Sequence, residues 1–341
     1  MRLDNEPGIT FDDVLLVPQY SDVKHRKNVN INTYLSDRLP LDIPIISANM
    51  DTITELPMAL AMNDAGGLGI IHRYISVEDM AEIIKTFNQR RSYGKIGVAI
   101  GVNEIIPERA EIALELGVKV ILIDVAHAHH SLVEVTMDQV VPLVQSAKAT
   151  LIVGNVATED GAIFLMNLGA DAIKVGIGPG SICTTRIVTG HGVPQLTAIA
   201  DVYNAVQGKC RIIADGGIRN SGDIVKAIGF GADAVMLGSL LAGTDETPSM
   251  SSNPESKVVY RGMASREANS DRSEYTPEGI SHEIKRKGPV RPILENLCGG
   301  IRSGFSYSGC SIIHDFQRHA VFKKVSSASV AESLPHIRNI T

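Results

Sequence analysis

Two kinds of segment alternate along most of the chain. One kind is a short apolar run rich in β-branched residues, and eight such runs occur: Ile43–Ala48, Leu68–His72, Ile96–Gly101, Lys119–Val125, Leu151–Val156, Ile173–Ile177, Arg211–Ala214 and Ala234–Leu237. The other kind has helical periodicity, as in Val77–Phe87, Pro107–Leu116, Ser131–Ala147 and Gly222–Ile228. Eight strands in alternation with helices predict an α/β protein that closes into a (β/α)8 barrel rather than an open doubly wound sheet.

The pattern loosens after the eighth run. Residues 243–288 are polar, are rich in Ser, Glu and Arg, and contain few apolar repeats. Long segments of this kind in compact domains are usually lids or disordered loops. We therefore predict a long flap at about residues 243–288, on a single catalytic domain that spans residues 1–341.

Polar residues and glycines cluster where the predicted strands end. These clusters are Asn49-Met50-Asp51, His72-Arg73, Asp124 to His130, Asn155, Gly176 to Arg186, Asp215-Gly216-Gly217 and Gly238-Ser239. The carboxyl ends of barrel strands meet at one rim, where catalytic groups gather. Glycine and aspartate end strands routinely, but seven such clusters at one rim together predict a functional site.

The composition narrows the class of protein. The chain has 341 residues, 44% of them hydrophobic and 21% charged, so it can bury a large core. Its net charge of -6 argues against nucleic acid as a partner. Apolar runs stay below the ~18 residues of a membrane span, and Met1–Glu6 does not look like a secretory leader. We expect a cytoplasmic protein with no membrane partner.

The glycine-rich loops at this rim predict a phosphate site. Gly176-x-Gly178-x-Gly180-Ser181, Asp215-Gly216-Gly217 and Gly238-Ser239 can bring backbone N–H groups and two hydroxyls to one anion. The last loops of a barrel often bind phosphate. A single G-x-G-x-G motif is equally typical of tight turns, so the prediction depends on the three loops together.

Cys183 is the candidate nucleophile. It follows the glycine-rich loop, whose N–H groups would raise the thiolate fraction, and Thr184, Thr185 and Arg186 surround it with polar groups. An isolated cysteine is more often a small buried hydrophobe, which is how we interpret Cys210 beside the Arg211–Ala214 strand.

Other polar residues suggest a second ligand. Asp215 is either a turn residue or the acceptor for a ribose diol, and Asp124, His127 and Asn155 could bind a cofactor-sized ligand across the rim. His127, His129 and His130 lie close in sequence, but no carboxylate pair or cysteine completes a metal site. Glu278 is a candidate acid/base, or equally a solvated loop residue.

Four segments carry a family resemblance. They are Gly176–Arg186, Asp215–Arg219, Gly238-Ser239 and Tyr260–Met263, and together they resemble the IMP dehydrogenase/GMP reductase family from Phe11 to the Arg302 region. The resemblance implies a barrel, usually in a homotetramer, that binds a purine nucleoside monophosphate. Cys183 would attack C2 of the base and form a thioimidate. A dehydrogenase then passes hydride to NAD and hydrolyses the intermediate to XMP, whereas a reductase releases ammonia from GMP and takes hydride from NADPH.

The resemblance also assigns roles to single residues. Substrate would be bound by Met50, Ser181, Asp215, Gly216, Gly217, Gly238, Ser239, Tyr260, Gly262 and Met263. Cofactor would be bound by Asp124, His127, Asn155, Gly176 and Gly178. A monovalent cation such as K+ would lie at Gly178, Gly180 and Cys183. In reductases a threonine and a glutamate activate the departing ammonia, and these roles fall to Thr185 and Glu278.

The two activities leave different marks on the sequence. Dehydrogenases usually carry a regulatory insert after the second strand, and His72-Arg73-Tyr74 leads straight into helix here. Their flap needs an Arg-Tyr pair, and Arg272 is followed by serine. Only five residues separate Arg272 from Glu278, so this part of the flap is shorter than in a dehydrogenase. This spacing, together with Ala48 to Thr52 and Pro194 to Leu196, favours a reductase.

Other segments point towards a dehydrogenase. Gly8 to Leu16 and Ala331 to His336 look dehydrogenase-like. His127 stands where reductases usually have asparagine, a difference that concerns the cofactor site and not the choice of activity. We predict a GMP reductase that uses NADPH. The alternatives are an IMP dehydrogenase that lacks the insert and uses NAD, and a catalytically silent purine nucleotide sensor.

Overall fold

A computed structural model describes residues 6–102, 106–248, 257–269 and 276–333. The strands are β1 (Val14–Leu16), β2 (Thr33–Ser36), β3 (Leu39–Leu41), β4 (Ile45–Ser47), β5 (Leu68–Ile71), β6 (Ile96–Ile100), β7 (Val120–Asp124), β8 (Thr150–Val156), β9 (Ala172–Val175), β10 (Arg211–Asp215), β11 (Ala234–Leu237), β12 (Val258–Arg261), β13 (Ser281–Ile284) and β14 (Phe322–Lys324). The helices are α1 (Leu56–Asp64), α2 (Val77–Arg90), α3 (Ile106–Glu115), α4 (Ser131–Ser146), α5 (Glu159–Asn167), α6 (Thr185–Val188), α7 (Gln195–Val206), α8 (Ser221–Gly229), α9 (Val290–Tyr307), α10 (Ile313–His319) and α11 (Ser327–Glu332). Short 3-10 turns occur at Phe11–Asp13, Arg26–Asn28 and Glu267–Asn269.

Strands β4 to β11 form a closed parallel barrel. They pair in the order β4, β5, β6, β7, β8, β9, β10 and β11, and β11 pairs back to β4. Each of the eight apolar runs in the sequence supplies one of these strands, so the predicted (β/α)8 barrel is confirmed. The strands are buried on both faces, which is why their apolar residues are nearly continuous rather than alternating.

The helices follow the periodicity of the sequence. Helices α2, α3, α4 and α8 begin and end close to the predicted segments. Ser76, Thr158 and Asn220 start three of the helices, since each side-chain oxygen accepts a backbone N–H from the first turn. Among the helices in the described ranges, none combines the length and apolarity that a bilayer span requires.

The flap region contains more regular structure than its polar pattern predicts. Strands β12 and β13 form an antiparallel pair, with Val258 opposite Ile284 and Arg261 opposite Ser281. Two further antiparallel pairs, β2 with β3 and β1 with β14, lie outside the barrel and have no counterpart in the sequence analysis. Arg272 and the segment Leu334–His336, which the sequence analysis used to weigh the two activities, lie outside the described residues.

The contact between β8 and β9 places a lysine inside the barrel. Gly154 pairs with Lys174, and the register shifts between Gly154 and Val156, so that Asn155 forms a bulge. A Cβ atom on Gly154 would lie 2.5 Å from Lys174 Cβ and 2.6 Å from its carbonyl oxygen. Only glycine therefore leaves room for Lys174, which is 3% exposed.

Replacing Gly154 with alanine should disturb this contact. We expect Gly154→Ala to lower the free energy of unfolding by about 1–3 kcal/mol, because backbone and Cβ atoms must move apart. Gly299→Ala on α9 is the matched control, since an added methyl there meets nothing within 4 Å. Thermal unfolding of both variants measures the difference, and equal melting temperatures would show that the β8–β9 contact tolerates a side chain.

Candidate active site

The carboxyl-terminal rim of the barrel surrounds a cavity of about 430 Å³. That volume is in the usual range for small-molecule sites. Almost all the predicted site residues line it: Met50, Asp124, Asn155, Gly176, Gly178, Gly180, Ser181, Cys183, Thr185, Asp215, Gly216, Gly217, Gly238, Ser239, Tyr260, Gly262, Met263 and Glu278. His127 is exposed and is not part of the cavity wall.

Cys183, Thr185 and Glu278 form a hydrogen-bonded group in this cavity. The Cys183 thiol donates to Thr185 Oγ1 at 3.2 Å, and the Thr185 hydroxyl donates to Glu278 Oε2 at 2.7 Å. Glu278 is thus a partner of the Cys183 loop and not a solvated loop residue. The arrangement places a nucleophile, a hydroxyl and a carboxylate in series, which is suited to covalent chemistry with proton transfer.

Backbone pairing holds Glu278 in this position. Thr184 N–H donates to Glu278 O at 2.9 Å, and Ile280 N–H donates to Ile182 O at 3.0 Å. On the other side, Glu278 N–H donates to Ala264 O at 2.9 Å. Residues 278–280 of the flap therefore lie between the Cys183 loop and flap residues 262–265, and they form hydrogen bonds with both.

The glycine loops approach one another beside the Cys183 loop. Gly216 has φ +95°, and a Cβ there would lie 2.9 Å from Pro179 Cγ and 3.1 Å from Gly180 N. Such close approach requires glycine and leaves backbone N–H groups accessible to an anion. The Ser181 hydroxyl is 3.3 Å from the Tyr260 hydroxyl, which brings the flap to the same loop.

Lys174 is the main charge at the floor of the cavity. Its Nζ lies 2.7 Å from Asp215 Oδ2 and 3.1 Å from Asp124 Oδ1, and it also donates to Asn155 Oδ1. Burial alone would lower the pKa of Lys174, but the two carboxylates raise it above its ordinary value. Lys174 therefore stays charged and joins the strands that carry these residues.

The sequence analysis missed Lys174, although a signal was present. A lysine between Ile173 and Val175 interrupts an otherwise apolar barrel strand. Lysine is almost never fully buried unless it is paired. Asp124 and Asp215 end two other barrel strands, so the sequence also allowed a buried lysine paired with a carboxylate.

Asp124 and Asp215 both pair with Lys174, but they differ in their other neighbours. Burial raises the pKa of Asp124, but Lys174 and Arg73 outweigh it and hold that pKa below its ordinary value. Asp215 Oδ2 accepts from both Lys174 and Asn155 Nδ2, the latter at 3.0 Å. A ribose diol at Asp215 would therefore have to be bound through Oδ1.

Arg73 and Tyr74 are cavity residues to which the sequence analysis gave no role. The Arg73 guanidinium lies 4.7 Å from the centre of the Tyr74 ring, and its Nη2 donates to the Tyr74 hydroxyl at 3.2 Å. Buried Arg109 supports this loop, since it donates to His72 O at 3.2 Å and to Ile75 O at 2.9 Å. Arg73 adds a second positive charge near Asp124.

The histidines lie away from the cavity. The ring of His127 is 6.3 Å from that of His129. Partial burial, together with the neighbouring His129, His130 and His191, lowers the pKa of His127. Within the described ranges, no group of three or more His, Cys, Asp or Glu side chains is arranged to hold a metal ion.

Fold and site together define a (β/α)8 barrel whose carboxyl-terminal rim holds the hydrogen-bonded group of Cys183, Thr185 and Glu278 beside close-packed glycine loops. A family model described as "IMP dehydrogenase / GMP reductase domain" matches residues 8–336. The chain belongs to this family, whose members are oxidoreductases.

Relatives of both names cover nearly the whole chain. An inosine-5'-monophosphate dehydrogenase from Cryptosporidium parvum is 39% identical, with 96% of this chain and 95% of that protein covered. A GMP reductase from Leishmania major is 32% identical and covers 96% of each chain. A solved GMP reductase variant from Trypanosoma brucei, in complex with guanosine 5'-monophosphate, has a TM-score of 0.88 at 30% identity and covers 98% of each chain.

The missing insert does not by itself favour a reductase, as the lengths of these alignments show. The Leishmania major GMP reductase aligns over 477 positions, so it contains long stretches with no counterpart in this 341-residue chain. The Cryptosporidium parvum dehydrogenase aligns over only 386 positions. Long relatives thus include a reductase and shorter ones include a dehydrogenase, so the absence of an insert does not separate the two activities.

Removing the charge of Lys174 should change how stability depends on pH. In the native protein the lowered pKa of Asp124 contributes stability that is present above the unfolded pKa of about 3.9 and lost as pH falls. In Lys174→Met burial dominates and raises that pKa, so ionised Asp124 destabilises the fold at neutral pH. We expect a loss of about 3–5 kcal/mol at neutral pH.

Thermal unfolding between about pH 5 and pH 8 tests this expectation. The deficit of Lys174→Met should be largest at the alkaline end and shrink towards the acidic end, as Asp124 takes up a proton. Lys174→Arg keeps the charge and should show a smaller deficit with little pH dependence. A Lys174→Met deficit that stays constant over this range would contradict the role given to the charge.

Proposed function

We propose that this chain is a GMP reductase, which converts GMP to IMP and ammonia with NADPH as the hydride donor. The observation that carries the proposal is the hydrogen-bonded group Cys183, Thr185 and Glu278. Reductive deamination at C2 of guanine needs a nucleophile for that carbon and a proton source for the departing amino group. The group supplies both within one chain of hydrogen bonds.

The cavity suits a purine nucleoside monophosphate with its phosphate at the glycine loops. Ser181, Gly217, Gly238 and Ser239 would take the phosphate, Asp215 would take the ribose, and the base would lie towards Cys183. Met50 and Met263 border the same space and would pack against the base. In this orientation C2 of the base would lie close to Cys183, Thr185 and Glu278.

The reaction would proceed in two stages. The Cys183 thiol gives its proton through Thr185 to Glu278, and the thiolate adds to C2 and forms a C–S bond. The C2–N bond then breaks as ammonia leaves with that proton, returned from Glu278 through Thr185. A thioimidate remains on Cys183. Hydride addition to C2 and loss of the C–S bond then give IMP and return the thiolate.

The cofactor would occupy the other side of the cavity. A bound NADPH would supply the hydride for the second stage. Asp124, Asn155, Gly176 and Gly178 line that side, and Lys174 holds the first two in place. His127 would contact only a part of the cofactor that extends beyond the cavity wall.

IMP dehydrogenase is the second candidate activity. Two relatives named as dehydrogenases, from Cryptosporidium parvum and Borreliella burgdorferi, are 39% and 36% identical to this chain. Both activities use the Cys183 intermediate, so the cysteine does not distinguish them. The proposed reductase is favoured by the direct contact of Thr185 with Glu278, which fits protonation of an amine.

Two further features belong to the same proposal. A K+ ion would bind the carbonyl oxygens of Gly178, Gly180 and Cys183, and the protein would form a homotetramer. Sedimentation velocity measures the assembly. Turnover in KCl against LiCl measures the cation, and equal rates in the two salts would remove K+ from the proposal.

Two spectrophotometric assays test the proposed activity. We expect NADPH to be oxidised when GMP is added, with IMP and ammonia formed in equal amounts. IMP with NAD should give no NADH. NADH formation in the second assay, with no reaction in the first, would identify a dehydrogenase, and tight GMP binding without either reaction would identify a sensor.

Variants of the hydrogen-bonded group test the mechanism. Thr185→Val should lower kcat with GMP by about 100-fold while KM changes little, because proton transfer is lost and the cavity keeps its shape. Thr189→Val is the matched control, since Thr189 lies one turn further on, does not line the cavity, and has a hydroxyl that donates to Thr185 O and accepts from His191 N–H. An active Thr185→Val enzyme would exclude Thr185 from proton transfer.

Replacing the nucleophile separates binding from chemistry. Cys183→Ala should abolish turnover and still bind GMP with an affinity close to that of the unmodified protein, as measured by calorimetry. Residual turnover above about one part in a thousand would contradict a covalent route through Cys183.

A further inference from the structure

One ion pair joins the flap to the loop that follows β4 at the barrel rim. Arg261, the last residue of β12, donates through Nε to Asp51 Oδ2 at 2.8 Å and through Nη2 to the same oxygen. Asp51 follows β4, so the contact spans 210 positions in the sequence. The side chains of Asp51 and Arg261 are only 13% and 29% exposed, so water weakens the pair less than it would at the surface.

Asp51 depends on this contact. Its other oxygen, Oδ1, is buried and has no hydrogen-bond partner in the described part of the chain. Loss of Arg261 would therefore leave a largely buried carboxylate without a partner, which is far more costly than loss of a surface pair. We therefore expect the ion pair to persist and not to be replaced by contacts with water.

Further contacts surround the ion pair. Arg261 N–H donates to Thr52 Oγ1 at 3.4 Å, and Asp51 N–H donates to Met263 Sδ at 3.4 Å. The Tyr74 hydroxyl donates to Met263 O at 3.1 Å. Loops after β4 and β5 thus both bind the flap between residues 260 and 263.

These contacts lie beside residues that border the nucleotide space. Met50 precedes Asp51, while Tyr260 and Gly262 flank Arg261, and all three line the cavity. The Tyr260 hydroxyl comes so close to Gly238 that a Cβ there would lie 2.9 Å from it. Any movement of Arg261 would therefore displace the cavity wall on both sides of it.

We propose that the Asp51–Arg261 ion pair is a latch that holds residues 260–263 as a fixed wall of the nucleotide site. Asp51 and Arg261 are positioning residues, because neither acts on the substrate itself. The choice of GMP as the ligand rests on the proposed function. The latch itself rests only on the contacts between the β4 loop and β12.

Three variants test the latch by binding and kinetics. Arg261→Gln and Asp51→Asn should each weaken GMP binding about tenfold, because each breaks the same partly buried pair. The double variant should be no weaker than the worse single variant, since both changes remove one interaction. The KM for NADPH should stay within about twofold, because the cofactor side of the cavity has separate supports.

Matched controls distinguish positioning from general damage. Lys257→Gln breaks the exposed pair between Lys257, just before β12, and Glu283 of β13, and should leave GMP affinity unchanged. Arg261→Lys keeps the charge and should restore part of the affinity. Unchanged GMP affinity in Arg261→Gln, or single losses that multiply in the double variant, would overturn the latch.

Hydrogen exchange gives a readout that needs no ligand. Amides of residues 258–263 should exchange faster in Arg261→Gln and Asp51→Asn than in the unmodified protein or in Lys257→Gln. Equal exchange in all four would refute the latch even if GMP binds. Faster exchange together with a native protein that binds neither GMP nor IMP would refute the proposed function and support the latch.

Discussion

The site depends on backbone pairing that brings three distant segments side by side. Residues 278–280 pair with the Cys183 loop on one edge and with residues 262–265 of the flap on the other. Glu278 can reach Thr185 only because of the first pairing, since 93 positions separate the two residues. The second pairing makes the position of Glu278 depend on where the flap is held.

The ion pair between Asp51 and Arg261 is the outer support of this arrangement. It fixes β12 to the loop after β4, β12 pairs with β13, and the segment before β13 carries Glu278. Lys174 of β9 plays the matching part at the floor, where it joins Asp124 of β7, Asn155 of β8 and Asp215 of β10. Cys183 thus lies between a charged, hydrogen-bonded floor and a wall that is itself bound to the rim. Rigid supports of this kind are what catalysis by positioned groups requires.

The sequence predicts the barrel well and the site in part, for physical reasons that particular residues show. The eight barrel strands can be recognised in the sequence because strands buried on both faces must be apolar throughout. Strands β12 and β13 cannot, since each has only four residues and a partly exposed face, and β13 (Ser-His-Glu-Ile) is mostly polar. Cys183 and the glycine loops stand out locally, whereas the partners of Glu278, Lys174 and Asp51 lie far away in sequence. His127 looked like a cavity residue because it follows a barrel strand, but the chain leaves the cavity wall at Ala126.

The proposed function requires that Cys183 attacks C2 of a guanine nucleotide while Thr185 and Glu278 protonate its departing amino group. A crystal structure of the protein with GMP measures this directly. We expect Cys183 Sγ either bonded to C2 or within about 3.5 Å of it, with the 2-amino group in hydrogen-bond contact with Thr185 or Glu278. A base turned so that C2 lies more than about 5 Å from Sγ, with the amino group facing the phosphate loops, would contradict the account.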